Sequence, residues 1–180
     1  YFVGNWQPNG PSQLGWRRGN CLYLDTNPKQ PLCFGDPPFE LLVADWNDDG
    51  RSDLGIRKGR CIDFDTDLDG VLDEPGYCFG EGFAEDEYLV GNWDGGPRAS
   101  IAVRRGSSVF VDVDRDGRAD ESPRVYGYGG DEDQYLVGDW NGDRRSDLAV
   151  RRGTLCLMNH DAEAGLADER RVYRDFWSEP

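Results

Sequence analysis

The chain has 180 residues, of which 20 are Lys or Arg and 35 are Asp or Glu, so its formal net charge is −15. This acidity excludes a nucleic-acid binder, which needs basic patches on its surface, and it opposes binding to anionic membranes. A 12% aromatic content argues against acidic disorder, and the absence of any run of about 18 apolar residues argues against a membrane span.

An internal repeat close to 47 residues long runs through the chain. A segment of the type Tyr-Leu-Val-Gly-Asn-Trp occurs four times, and its tryptophans are separated by 40, 47 and 47 residues. A second segment, containing Arg-Arg-Gly or Arg-Lys-Gly, follows each copy in the same phase. We therefore divide one predicted domain, 1–180, into four repeat units. Their approximate bounds are 1–36, 37–83, 84–130 and 131–180.

Each repeat unit divides into four short segments that are rich in Val, Ile and Tyr and bounded by Gly- and Asp-rich turns, which predicts four strands. In the third unit the predicted strands are 88–91, 100–105, 108–112 and 124–128. No segment has a sustained helical period, so we expect almost no helix. The predicted fold is all-β, with four tandem four-stranded blades of a β-propeller. We expect a closed four-bladed ring, with half of a larger ring or an open stack as the alternatives.

The second unit carries two acidic loops, one after its first predicted strand and one after its third. Both read D-x-[DN]-x-D-G-x-x-D, which places oxygen ligands at positions 1, 3, 5 and 9 and a backbone carbonyl at position 7. Such a set suits calcium, and Gly at position 6 permits the sharp turn. An EF-hand would need Glu at position 12 between two helices, whereas these flanks are predicted strands. The predicted ligands are Asp45, Asn47, Asp49, Arg51 and Asp53 in the first loop, and Asp65, Asp67, Asp69, Val71 and Asp73 in the second.

The third and fourth units carry one complete acidic loop each. Asp, Asn and Gly are also common in ordinary turns, but four loops with every ligand position filled favour calcium. Four ions would change the formal charge from −15 to about −7. We expect the degenerate loops at 5–13 and 92–100 to be empty and the loop at 159–167 to be weak. The predicted ligands are Asp112, Asp114, Asp116, Arg118 and Asp120 in the third unit, and Asp139, Asn141, Asp143, Arg145 and Asp147 in the fourth.

Four of the five cysteines occupy matching repeat positions. Cys21 and Cys61 start the predicted third strand of their units, and Cys33 and Cys78 lie on the fourth. Antiparallel neighbours can bring such pairs into bonding range, so we predict the disulfides Cys21–Cys33 and Cys61–Cys78. Disulfides imply an oxidising, extracytoplasmic setting. Cys156 aligns with apolar residues, which favours a buried thiol over a nucleophile or an intermolecular bridge.

The first loops also carry a family resemblance. Residues 137–150 read Val-Gly-Asp-Trp-Asn-Gly-Asp-Arg-Arg-Ser-Asp-Leu-Ala-Val, residues 42–54 are similar, and Phe-Gly pairs stand at 34–35 and 79–80. These residues resemble the FG-GAP/VCBS repeat family, the calcium-binding blades of integrin-α-type propellers, over nearly the whole chain. Arg144 departs from the family pattern, which usually has Gly there. The resemblance implies an extracellular scaffold used for adhesion, ligand display or sugar binding, and it specifies no ligand.

Aromatic and charged residues outside the loops complete the sequence-based predictions. We expect the repeat tryptophans and Trp16 to be core residues, and one Arg of each basic pair to face solvent or a loop carboxylate. Phe176 and Trp177 are predicted to dock at the junction of units four and one, within one chain or between chains. The repeat tryptophans are Trp6, Trp46, Trp93 and Trp140.

Catalysis has little support, because the single histidine, His160, lies in a degenerate loop without a Ser or Cys motif to activate. The chain begins at Tyr1 without a leader, which we interpret as a mature or excised product. We predict a secreted, non-catalytic calcium-binding protein with a structural or adhesive role, with assembly into homo-oligomers or filaments left open. The alternatives are a calcium-dependent lectin-like module and, more distantly, a hydrolase. The expected ligand is a glycan or an extracellular protein.

Overall fold

The computed structural model describes residues 1–120, 124–125, 130, 133–160 and 169–172, and these form sixteen strands in four sheets without a helix. The first sheet contains β1 (Phe2–Gly4), β2 (Gln13–Arg18), β3 (Cys21–Leu24) and β4 (Leu32–Cys33). The second contains β5 (Glu40–Ala44), β6 (Asp53–Lys58), β7 (Cys61–Asp65) and β8 (Glu74–Cys78). The third contains β9 (Glu87–Gly91), β10 (Ser100–Arg105), β11 (Ser108–Asp112) and β12 (Arg124–Val125). The fourth contains β13 (Gln134–Gly138), β14 (Asp147–Arg152), β15 (Leu155–Asn159) and β16 (Glu169–Val172).

Every sheet is a meander in which neighbouring strands are antiparallel and follow one another in the chain. The all-β class and the four four-stranded units are therefore confirmed. The second and third strands of each sheet are joined by a two-residue turn whose first residue is a glycine with φ between +58° and +65°. Glycine is the residue that a type II′ turn requires at that position, which explains the repeated Arg-Gly segment. These turn glycines are Gly19, Gly59, Gly106 and Gly153.

Both predicted disulfides are confirmed. Cys21 lies directly opposite Cys33 on β3 and β4, with their Cα atoms 4.0 Å apart. Cys61 and Cys78 face each other on β7 and β8 in the same way, with a Cα–Cα distance of 3.9 Å. Cys156 keeps its thiol and is buried on β15, in agreement with its alignment to apolar residues.

The chain forms two compact units, and each unit has its own hydrophobic core. In the unit that contains the first and second sheets, an apolar face of one sheet packs against an apolar face of the next. The unit that contains most of the third and fourth sheets repeats this arrangement. The two cores include Trp6, Leu22, Leu24, Leu32, Leu54 and Ile56 in the first unit, and Leu89, Trp93, Val109, Val111, Leu148 and Val150 in the second.

Two of the expected core tryptophans are not core residues. Trp6, Trp46 and Trp93 are buried, as predicted, but Trp140 is 42% exposed. A Cβ atom on Gly138 would lie 2.6 Å from the Trp140 ring, so this ring covers its own strand, yet it belongs to no core cluster of the described residues. Trp16 is only partly buried, because its ring stacks on Tyr23 at the surface of the first sheet.

In the third and fourth sheets, one arginine of the repeated Arg-Arg pair contacts a carboxylate outside the strands, as predicted. Arg105 contacts the buried carboxylate of Asp86 at 2.8 Å, and Arg152 contacts that of Asp133 at 2.6 Å. Phe176 and Trp177 lie outside the described residues, so their docking stays a prediction. Among the described residues no helix has the length and apolar character needed to cross a membrane.

Candidate metal centres

The first residue of each complete acidic loop organises the loop backbone. Asp45 accepts hydrogen bonds from the backbone N–H groups of Asp48 and Gly50, at 2.7 and 2.9 Å. Asp139 accepts the equivalent bonds from Gly142 and Arg144, at 2.6 and 3.0 Å. A carboxylate that accepts several backbone N–H groups holds its loop in one conformation before any ion arrives.

Residues three and five of the loops make a second matching set of bonds. In the first loop of the second sheet, the Asn47 side-chain carbonyl accepts from the Asp49 N–H at 3.0 Å, and the Asp49 carboxylate accepts from the Arg51 N–H at 2.8 Å. The loops at 65–73 and 139–147 repeat both bonds at 2.7–3.1 Å. Three of the predicted calcium loops thus share one hydrogen-bond register. Their position-5 and position-7 pairs are Asp49 and Arg51, Asp69 and Val71, and Asp143 and Arg145.

The backbone of all four complete loops enters the left-handed region twice, at positions 4 and 6. Position 6 was expected from its glycines, and Arg144 adopts φ +73° there without being glycine. The left-handed conformation at position 4 was not predicted, because three of the four residues at this position are not glycine. These residues are Asp48, Leu68 and Arg115, with φ values of +67°, +61° and +61°.

The ninth residue closes each loop with one carboxylate oxygen, and in the two first loops the other oxygen accepts no hydrogen bond among the described residues. Oδ2 of Asp53 accepts from the Trp46 N–H at 2.9 Å, and Oδ2 of Asp147 accepts from the Trp140 N–H at 2.8 Å. Both aspartates are fully buried. Within the described residues, neither Oδ1 accepts a hydrogen bond. A buried carboxylate oxygen without a donor is costly, and an ion at the loop would remove that cost.

Burial raises the pKa values of three loop aspartates. Burial raises the pKa of Asp53 to about 7, against the lowering effect of the Trp46 N–H, and the nearby Asp49 carboxylate adds to the rise. Burial likewise raises the pKa of Asp65 to about 6 and raises the pKa of Asp147. These groups are aspartates whose negative charge lacks a sufficient counter-charge in the protein itself.

The second loops bring carboxylates closest together. Oxygens of Asp65, Asp67 and Asp73 lie within 4.8 Å of one another, and so do oxygens of Asp112, Asp114 and Asp116. The ninth residue of the latter loop, Asp120, accepts a hydrogen bond from the Val113 N–H, as its counterparts do at position 2. Three of the predicted ligand side chains are therefore close together in each of the second loops of the second and third sheets, and these sets do not include Asp69 or Asp120.

Arg51 has a side-chain role that the sequence did not reveal. Its guanidinium lies 3.2 Å from Asp49 and 3.8 Å from Oδ1 of Asp53, and it donates to the Thr66 carbonyl at 2.7 Å. From the sequence, this residue was expected to contribute only its backbone carbonyl as a calcium ligand. The guanidinium neutralises part of the loop charge and ties the first acidic loop of the second sheet to the second one.

The two loops of one sheet are neighbours, which the sequence analysis did not predict. The Asn47 amide donates to the Thr66 carbonyl at 3.3 Å, and the Asn141 amide donates to the His160 carbonyl at 2.5 Å. In a four-stranded meander, the connections after strands one and three leave from the same end of the sheet. The proximity of the two loops could therefore have been predicted from the number of strands in each unit. His160 also places Nδ1 3.9 Å from Asp147.

The degenerate loops have asparagine at position 1, where the complete loops have aspartate, so they lack a carboxylate charge there. The Asn92 amide nitrogen donates to the Gly96 carbonyl within its own loop. The Asn5 amide donates to the Gly50 carbonyl at 2.9 Å, and so braces the acidic loop of the next sheet. These contacts agree with the expectation of empty loops, which stays a prediction.

Comparison with known proteins yields no match: no family model, no curated protein and no solved structure matches the chain. The likeness to FG-GAP/VCBS repeats therefore remains a resemblance that rests on the motif residues. The function of the chain has to be inferred from its own loops and sheets.

Proposed function

We propose that the chain is an extracellular calcium-binding repeat protein with a structural or adhesive role, whose four sheets are propeller-type blades in an array that continues into other copies of the chain. The observation that carries the calcium assignment is the pair of fully buried Oδ1 atoms of Asp53 and Asp147 that accept no hydrogen bond among the described residues. Each belongs to a loop whose other predicted ligands are held in a matching register.

Calcium fits this donor set better than other common protein-bound metals. The complete loops offer only carboxylate, amide and carbonyl oxygens, whereas zinc favours histidine and cysteine. Magnesium requires near-ideal octahedral geometry and keeps several water ligands, while calcium accepts six to eight oxygens in a flexible arrangement. A loop that donates side chains at positions 1, 3, 5 and 9 and a carbonyl at position 7 meets this requirement.

Several observations support a structural role over a catalytic one. The single histidine, His160, has its Nδ1 atom 3.9 Å from Asp147, which is itself a proposed ligand. The buried loop aspartates, whose pKa values burial raises, serve in this proposal as ligands rather than as acids or bases. Two disulfides are compatible with an extracellular location.

Calcium titration of the full chain tests the proposal. After removal of bound metal, isothermal titration calorimetry should give about four sites with the wild-type chain. Asp53→Asn and Asp147→Asn should each remove or strongly weaken one site, because each substitution takes away a ligand charge. Asp36→Asn, an exposed aspartate outside the loops, is the matched control and should keep all sites. Absence of calcium binding in the wild-type chain would overturn the proposal.

A calcium-dependent carbohydrate-binding module is the second candidate, and the exposure of Trp140 favours it. This ring is 42% exposed and adjoins an acidic loop, where it could stack against a sugar. A glycan array probed with and without EDTA separates the two candidates. Glycan binding that EDTA and Trp140→Ala both abolish would support the lectin, whereas thermal destabilisation by EDTA without a glycan signal supports the structural role.

A further inference from the structure

One apolar sheet face of the chain is exposed to solvent. We define the front face of the first sheet as Val3, Leu14, Trp16 and Tyr23, which share one side because Val3 pairs with Leu14 and Trp16 with Tyr23. Val3 and Leu14 are 57% and 55% exposed. The Trp16 and Tyr23 rings stack on each other with centroids 5.4 Å apart and planes 5° apart. A flat aromatic pair and two aliphatic side chains thus face water.

The same repeat positions are covered in the other three sheets. Leu54, Ile101 and Leu148, which correspond to Leu14, are 0%, 0% and 1% exposed. Leu54 packs with core residues of the first sheet, and Leu148 packs with those of the third. Each of the two compact units therefore contains one sheet–sheet interface of this type. The front face of the first sheet has the same apolar pattern but is exposed.

Trp140 has the character of the opposite side of such an interface. Trp6 shares a core cluster with Leu54 of the following sheet, and Trp93 shares one with Leu148 of the following sheet. Trp140 has the same repeat position, and its ring covers a strand glycine as the Trp6 ring does, but it is 42% exposed. Both halves of this type of interface are thus also present in exposed form among the described residues.

We propose that the front face of the first sheet is a self-association surface that packs against the Trp140 side of the fourth sheet in a second copy of this chain. The proposal deepens, and rests on, the self-assembly part of the proposed function. Such a head-to-tail contact joins different surfaces, so it produces a closed ring of chains or an open filament. Because bound calcium reduces the net negative charge, it also reduces the repulsion between copies, and association strengthens with calcium.

The test is the solution mass of the full chain, measured by light scattering and sedimentation in calcium at physiological ionic strength. The wild-type mass should be at least twice that of one chain. Leu14→Asp and Trp140→Ala should each return it to the mass of one chain. Phe83→Asp, which alters an exposed apolar residue outside both surfaces, is the matched control and should keep the wild-type mass. Val3→Asp provides a second variant of the front face.

Calcium titration of the same samples separates the two proposals. Monomeric variants that still bind calcium support the interface, because the loops are then intact. A wild-type chain that binds calcium and stays monomeric at high concentration overturns the interface and leaves the calcium assignment standing. Dissociation by Leu14→Asp but not by Trp140→Ala would overturn the head-to-tail pairing. A glycan that changes Trp16 fluorescence without changing the mass would identify a sugar as the occupant and also overturn the proposal.

Discussion

At position 9 of the first loops, an aspartate is buried beside other carboxylates. Asp53 retains one hydrogen bond from a backbone N–H, and its second oxygen lies 3.8 Å from the Arg51 guanidinium. Desolvation outweighs these favourable contacts, which is why its pKa rises to about 7. The ionised form of this residue is therefore disfavoured in the folded chain without a cation.

Because of these raised pKa values, the metal-free protein should gain stability as the pH falls from about 7 towards about 4. The folded pKa values of Asp53 and Asp65, about 7 and about 6, lie above the unfolded value of 3.8, so the folded chain binds more protons in this window. Each group contributes at most about 1.4 kcal/mol per pH unit. Urea unfolding in EDTA across this window measures the slope. Asp53→Asn should flatten it and Asp36→Asn should not, while stability that increases with pH would contradict the prediction.

Arg144 offers a test of backbone strain at position 6. Its φ of +73° lies in the region that disfavours residues with a Cβ atom, so Arg144→Gly should increase the free energy of unfolding by about 1 kcal/mol. Gly70 adopts φ +88° at the same loop position, and Gly70→Ala should lower stability by a similar amount. Chemical unfolding of both variants in EDTA measures the effects. A destabilising Arg144→Gly would show that the side chain contributes more than the strain removes.

At the scale of single elements, the fourth strands depend on more than backbone pairing. β4 pairs with β3 through only two residue positions, and one of them is the disulfide pair Cys21 and Cys33. β8 is longer and also carries a disulfide, Cys61–Cys78. In the second sheet, the acidic loop 65–73 lies at the opposite end of the same hairpin. There the position-9 residue, Asp73, accepts a hydrogen bond from the Thr66 N–H at the start of the loop. Disulfide and loop thus secure one hairpin from two ends in the second sheet.

Removal of a disulfide should be strongly destabilising in both sheets. The paired cysteines are 12 and 17 residues apart, and closing loops of about this length stabilises by roughly 3 kcal/mol through the entropy of the unfolded chain. The double variants Cys21→Ser/Cys33→Ser and Cys61→Ser/Cys78→Ser should each lose about that much. Reductant should destabilise the wild-type chain but leave a chain with all four substitutions unchanged. An unchanged melting temperature in either double variant would contradict this expectation.

For the molecule as a whole, calcium should couple the loops to the stability of the sheets. An ion that binds only the folded chain adds about 2.7 kcal/mol per site when its free concentration is 100-fold above the dissociation constant. The melting temperature should therefore rise with calcium and fall in EDTA, and the rise should be smaller in Asp147→Asn. Differential scanning calorimetry measures the shift. Equal shifts in Asp147→Asn and in wild-type would exclude this loop as a site, and magnesium at the same concentration is the control.

The strands and the ligand positions of the loops could be predicted from local sequence. Strand pattern, turn glycines and the phase of the repeat are local properties, so β10 and β11 were predicted with their observed bounds, and both disulfides followed from matching repeat positions. The ligand positions were readable for the same reason, since the residues of one loop are close in the chain. The left-handed conformation of Leu68 and Arg115 was not readable, because neither residue favours it locally.

The burial of individual side chains and the proximity of the loops depend on the tertiary structure. Trp140 and Trp93 have the same repeat position, but among the described residues only Trp93 packs with a following sheet, and Leu14 and Leu54 differ in the same way. Burial depends on residues far away in the chain, and no local pattern encodes it. The contact of Arg51 with Thr66 is likewise a consequence of the meander, which brings two loops of one sheet to the same end.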